Sequence, residues 1–123
     1  VHLPGRVGNV GDWYARAELF VMSSRFEGFP NTLVEAMAHG LPAVSFDCDA
    51  GPRDIIRDGV DGQLVAPEAG ISGLSRAMDT LMRDDDQRRQ MGEAAKSVRA
   101  RFSMASIGAE WDVVLGLPDE CDV

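Results

Sequence analysis

Cysteine is scarce. Cys48 and Cys121 are the only two in 123 residues, too few for a disulfide framework, and this reads as a reducing, cytoplasmic compartment. Long apolar runs are missing as well. No stretch approaches the roughly 20 residues needed to span a bilayer, and no segment reads as a signal peptide. Positive charge is in the minority, with 12 Lys and Arg against 20 Asp and Glu and a net charge of −8. That balance speaks against nucleic acid or an anionic membrane surface as the main partner. It leaves room for a small anion held by local amides and one or two cations. There is also no internal repeat, low-complexity tract or linker. The chain therefore reads as one domain or part of a larger one, with 45% hydrophobic and 26% charged residues, ordinary for a globular protein.

What is present is alternation. Short runs rich in strand formers occur at Leu19 to Met22, Ala43 to Phe46 and Gln63 to Val65, with a fourth at Val1 to Leu3. None alternates with polar residues, as expected of strands covered on both faces of a parallel sheet. Between them lie helical stretches at Gly11 to Ala17, Asn31 to His39 and Pro52 to Arg57. This order predicts βαβ units. Gly40-Leu41-Pro42 is a helix stop, and Asp58-Gly59 and Asp61-Gly62 are turns. From Gly70 the pattern is helix alone. One apolar face carries Ile71, Leu74, Met78, Leu81 and Met82, and the next carries Met91, Ala94, Ala95, Val98 and Phe102. Arg83-Asp84-Asp85-Asp86 separates the two, its acids suited to a first helical turn. Ser103 caps a last helix with Ile107, Trp111, Val114 and Leu115. Trp13, Trp111 and Phe102 read as core or interface anchors, and residues 119–123 as a frayed tail.

The candidate chemistry sits at the turn between Leu19–Met22 and the following helix. Gly28 and Pro30 interrupt any helix there, so Glu27 belongs to the loop while Glu35 lies about one turn into the helix. Ligands of open α/β sheets bind outside the carboxyl ends of the strands, and the first amides of a helix form an anion site. Amides near Asn31, Thr32 and Leu33 then face a diphosphate, and the Glu35 carboxylate can accept two hydrogen bonds from a ribose diol. The competing reading pairs Glu35 with His39 at i+4 and leaves Glu27 solvated. From spacing alone both readings stand. Gly51-Pro52-Arg53 suits an oxyanion through its Arg, although the commoner role of such a loop is to start a helix with Pro at its first position. Asp47, Cys48 and Asp49 are too close together on a strand end to converge on a metal.

The run Glu27-Gly28-Phe29-Pro30-Asn31-Thr32-Leu33-Val34-Glu35-Ala36-Met37-Ala38 resembles the Glu-x7-Glu signature of glycosyltransferase family 4, retaining enzymes of the two-domain GT-B fold. The similarity continues through Gly40 to Asp47, Gly51 to Ile56, Asp58 to Gly62 and Leu64 to Pro67, and upstream through Leu3 to Val7 and Ala17 to Ser24. It covers most of the chain. The implied fold is α/β, a partial Rossmann-like parallel sheet followed by C-terminal helices, with residues 1–118 an incomplete donor-binding domain. The family often has Glu where Asp54 stands, which puts any contact made there in doubt.

The resemblance also implies roles. Glu35 holds the donor ribose. Glu27 lies against the donor sugar and its departing diphosphate, as the catalytic residue. Gly28, Phe29, Pro30, Asn31, Thr32 and Leu33 contact sugar and phosphates, and Arg6 and Val7, at the end of a first strand, border the nucleobase. Family members are described by front-face attack, with the leaving diphosphate helping to deprotonate the acceptor. The implied activity is transfer from a nucleotide-sugar, a UDP-sugar, to a glycan or lipid-linked acceptor in polysaccharide biosynthesis. No cofactor or metal is implied, and work at the cytoplasmic face of a membrane is compatible with it. A nucleotide-binding module without catalysis, or a GT-B sugar-nucleotide epimerase, remain alternatives. A Gly-Arg loop, a Lys and an acceptor domain that the family carries have no counterpart in these residues. By the strand order 3-2-1-4-5-6, the strands present are 3, 4, 5 and 6. Leu19 to Met22 is then a sheet edge, and these residues alone are expected not to transfer sugar.

Overall fold

A computed structural model describes residues 1–116; the expected tail at 119–123 and Cys121 lie outside the described residues. Helix α1 (Val10–Arg16) leads to strand β1 (Phe20–Met22), helix α2 (Asn31–Ala38), strand β2 (Ala43–Phe46), a short helix α3 (Pro52–Ile55) and strand β3 (Gly62–Val65). A 3-10 turn at Pro67–Ala69 then opens α4 (Gly70–Arg83), followed by α5 (Asp85–Ala95), α6 (Val98–Arg101) and α7 (Met104–Leu115). The strands form one parallel sheet in the order β1-β2-β3, with Phe20 opposite Ala43 and Ala43 opposite Gly62. The α/β class read from the alternation holds, and β1 is at the edge of the sheet as expected.

The sheet is covered on both faces because successive strand residues point to opposite sides. Met22 and Ala43 pack with Leu33, Met37, Ile55, Ile56, Ala95 and Val98 on one side. Val44 and Phe46 pack with Leu74, Leu81 and Met91 on the other. Leu33, Met37, Ile55 and Leu81 are fully buried, and removing each from water contributes about 1.5–3 kcal/mol. The helix stop at Gly40 is real, since its φ of +86° is one that side chains other than glycine's rarely adopt. Asp84 caps α5 by accepting from the Gln87 amide at 2.9 Å, and Ser103 caps α7 by accepting from the Ser106 amide at 3.1 Å.

Four expectations are corrected. Val1 to Leu3 is not a strand; Val1 and Leu3 are exposed, and among the described residues no strand lies beside them to form a ladder. The stretch from Met91 to Phe102 is two helices, broken between Ala95 and Val98. On α4, Leu74 and Leu81 are buried, whereas Ile71 and Met82, at the flanks of the stripe, are exposed. Trp13 and Trp111, read as core or interface anchors, are half exposed, which removes the core half of that reading only, and α7 buries none of its residues.

A buried acid ties the sheet to the last helices. The Asp61 carboxylate, fully enclosed, accepts from the Arg57 amide and Arg57 Nε, both at 2.7 Å, and from Arg101 Nη2 at 3.4 Å. Arg101 Nη2 also donates to the Ile55 carbonyl at 2.8 Å, and Arg57 Nη2 to Ser97 Oγ at 2.8 Å. Burial lowers the Arg101 pKa, against the pull of Asp61.

Candidate functional site

The site forms where three strands end. Loops leaving the carboxyl ends of β1, β2 and β3 enclose a cavity of about 590 Å³, lined by Arg25, Phe26, Glu27, Asp47, Cys48, Asp49, Arg53 and Glu68, with Phe46, Ala50, Ala66 and Pro67 beneath. This is the position a parallel sheet dictates for a ligand. Glu27 reaches it because the Gly28-Phe29-Pro30 segment delays the start of α2 until Asn31.

The loop carrying Glu27 is braced from the β2–α3 side. Cys48 Sγ donates to the Ser24 carbonyl at 3.4 Å. Gly51 (φ +82°) abuts the loop so closely that an added Cβ would lie 2.8 Å from Pro30 Cδ and closer still to the Gly28 carbonyl oxygen. Arg53 makes a bidentate contact with Asp47, Nε to Oδ1 at 2.8 Å and Nη2 to Oδ2 at 3.1 Å, and approaches Asp49 at 3.5 Å. Pro52 opens α3, and Asp54 Oδ2 accepts from the Gly51 amide at 3.3 Å. The Gly-Pro-Arg loop is therefore a structural element whose Arg is held by an acid of the strand end. Burial first, and then the charges of Glu27, Asp47 and Asp49, push the Cys48 thiol up, which keeps it protonated and unreactive. Among the described residues no group of three His, Cys, Asp or Glu converges as a metal site.

At the mouth of α2 the geometry separates residues that the sequence reading placed together. The Leu33 amide donates to the Pro30 carbonyl at 3.1 Å and its side chain is in the core, so Leu33 has no free N–H for an anion. The Asn31 and Thr32 amides precede the first helical bond and have no partner among the described residues. They remain the anion donors. Phe29 rests edge-on against Phe102, with ring centroids 5.4 Å apart, which fixes the loop to the C-terminal helices.

Glu35 lies apart from the strand-end cavity. It stands beside Tyr14 of α1, whose phenol burial and then the Glu35 carboxylate push up, and the Tyr14 hydroxyl is 3.5 Å from the Thr32 carbonyl. His39 Nδ1 is 2.8 Å from the Glu35 carbonyl oxygen; among the described residues the Glu35 side chain makes no ion pair with it. Val7 lines a separate groove with Asn9, Asp12, Trp13 and Arg16. Arg6 is exposed on the loop before α1, and the described residues before it, 1–5, are not a strand. Sequence reasoning missed Arg25, Phe26 and Glu68 as cavity residues and Tyr14 as the neighbour of Glu35. Phe26 and Arg25 adjoin Glu27 and were within reach of it; Glu68 and Tyr14 arrive from other elements.

Residues 1–84 match the family described as glycosyl transferases group 1. The chain belongs to that family. It is 39% identical over 113 residues to an exopolysaccharide phosphotransferase of Streptomyces coelicolor, covering 91% of this chain and 12% of that one. It is 30% identical over 115 residues to a poly(glycerol-phosphate) alpha-glucosyltransferase of Bacillus subtilis, covering 94% of this chain and 17% of that one. The structure superposes on Staphylococcus aureus TarM, solved with fondaparinux, alpha-GlcNAc-glycerol and UDP, with a TM-score of 0.84 and 28% identity over 95% of this chain and 23% of TarM. The chain thus spans less than a quarter of each of these three proteins. Its fold is that of the C-terminal domain of GT-B glycosyltransferases. Within this group 1 family chain, no described helix is long and apolar enough to cross a membrane.

Proposed function

We propose that this group 1 chain is the donor-binding portion of a retaining glycosyltransferase of family 4. It takes a UDP-sugar and serves transfer of the sugar to a glycan or lipid-linked acceptor in polysaccharide biosynthesis. The observation that carries the reading is Glu27, set in a cavity beyond the strand ends, on the loop that leads to the unpaired Asn31 and Thr32 amides. Those amides stabilise the negative charge that grows on a departing diphosphate, because they are fixed in place before the bond breaks. Glu27 faces the sugar. Glu35, four residues beyond Asn31 in α2, takes the ribose hydroxyls. Arg53 is already engaged by Asp47 and braces the loop. The nucleotide-sugar is a substrate, and the reading calls for no resident cofactor or metal.

The names of relatives support the substrate class: one is a glucosyltransferase, and TarM was solved with UDP. The phosphotransferase name belongs to a protein of which the match covers 12%. UDP titrated into the isotope-labelled chain tests the nucleotide site. Amide shifts at Asn31 and Thr32 are the expected response, and their absence at millimolar UDP overturns the reading. In the whole enzyme that carries this chain, Glu27→Gln is expected to lower turnover at least ~100-fold, the loss typical of a fixed electrostatic group. Glu35→Gln is expected to weaken UDP binding by ~1–3 kcal/mol with less effect on turnover at saturation.

A further inference from the structure

We infer that Phe26 is a stacking platform for the pyranose ring of a sugar held in the strand-end cavity, an inference that rests on the proposed function. Phe26 immediately precedes Glu27, lines the same cavity, and is 92% exposed. Single exposed apolar side chains are common on protein surfaces, so exposure alone carries nothing. The surroundings do. The other large aromatic of this loop, Phe29, has an aromatic neighbour in Phe102, whereas Phe26 has no aromatic partner among the described residues. Around it stand hydrogen-bonding groups of Arg25, Glu27, Asp47, Asp49 and Glu68. Asp47 and Asp49 are partly occupied by Arg53, and no hydrogen bond to the side chains of Arg25, Glu27 or Glu68 occurs among the described residues.

An open apolar ring beside acceptor carboxylates matches one ligand chemistry. A pyranose presents a face of C–H bonds and a rim of hydroxyls; the face lies on the ring and the rim donates to the acids. A phosphate has no such face. A nucleobase has one, but the carboxylates crowding this cavity suit hydroxyl donors better than the carbonyl acceptors of a pyrimidine. The sugar can belong to the donor or to the acceptor, and the same ring serves either.

The test compares the unaltered chain with Phe26→Ala and Phe26→Tyr in titrations with UDP, UDP-glucose, and methyl α-glucopyranoside added in the presence of UDP. Because Phe26 is exposed, neither substitution removes core packing, and circular dichroism melts verify that. UDP affinity is expected to be the same in all three proteins. UDP-glucose binding is expected to fall about 3- to 10-fold in Phe26→Ala and to be kept in Phe26→Tyr, in line with the energy of an aromatic contact. If the loss appears instead with methyl α-glucopyranoside, the stacked sugar is the acceptor's. Unchanged affinity for both sugar ligands overturns the inference and leaves the nucleotide site standing, as does an equal loss for UDP itself, which means base stacking. A chain that does not bind UDP overturns the proposed function and this inference together.

Discussion

Replacing Gly51 by alanine tests whether the loop bearing Glu27 is held from the β2–α3 side. Two costs are separable. The first is conformational: Gly51 has φ +82° and ψ −93°, outside the αL well and sparsely populated by L side chains, at a cost of about 1–3 kcal/mol. The second is steric, since the added methyl meets Pro30 Cδ at 2.8 Å and the Gly28 carbonyl oxygen at shorter range, where real Cβ atoms essentially never come within 3.0 Å. Both obstacles are backbone or proline ring, so the loop has to retreat, and overpacking of this kind costs about 1–3 kcal/mol. Gly59 supplies the control. Its φ is +75° and a Cβ there meets nothing within 4 Å, so Gly59→Ala carries a conformational cost alone. Urea unfolding is expected to place Gly59→Ala about 1–2 kcal/mol below the unaltered chain and Gly51→Ala a further ~1–3 kcal/mol below that. Amide shifts at Glu27 to Thr32 are expected to move only in Gly51→Ala, with weaker UDP binding, because a displacement near 1 Å at a site costs up to ~100-fold. Equal losses for the two variants, or unmoved loop amides in Gly51→Ala, refute the reasoning.

Three further outcomes follow from other parts of the structure. Asp61→Ala leaves Arg57 and Arg101 facing an empty buried position and is expected to cost about 3 kcal/mol, the low end for a broken buried pair because Arg57 is half exposed; thermal unfolding that matches the unaltered chain counts against it. The raised pKa values of Cys48 and Tyr14 mean that the folded chain holds those protons more tightly than the unfolded one. That stability is complete below the unfolded thiol pKa of about 8.5 and is lost as pH rises through the folded values. Urea midpoints are therefore expected to fall above pH ~8.5, less steeply in Cys48→Ser, and a flat profile to pH 10 excludes the effect. Hydrogen exchange is expected to protect Val44 and Ser45 more than Val21, since β2 is paired on both sides and β1 on one; equal protection rejects β1 as an edge in solution.

Much of this was legible in the chain because the deciding interactions are local. The runs at Ala43 to Phe46 and Leu19 to Met22 announced strands, and Ser103 and Asp84 announced caps that the structure contains. Glu27 was placed on its loop by the glycine and proline that follow it. What failed depended on partners distant in sequence. Ile71 and Met82 share the period of Leu74 and Leu81, but only the middle of that stripe meets the sheet. Val1 to Leu3 has strand composition but, among the described residues, no neighbouring strand to pair with. Arg53 left an oxyanion reading open beside the structural one, and the Asp47 contact that favours the structural one is made six residues away on the end of β2, while Glu35 gained Tyr14 from α1. Leu33 was named for its amide, which the turn of Pro30 had already taken.

The open rim of the sheet also bears on how copies of this chain meet. An unpaired strand is a template for another, but β1 runs only from Phe20 to Met22, about 10 Å of ladder. Glu18 stands just before it, bonded to Arg88 of α5 at 2.5 Å, and Ser23 and Ser24 follow. So short an edge, with a charged pair at its entrance, offers too few backbone bonds to seed a stack of sheets. Pairing of two copies through β1 is therefore disfavoured, and a contact at that rim has to draw on side-chain surfaces.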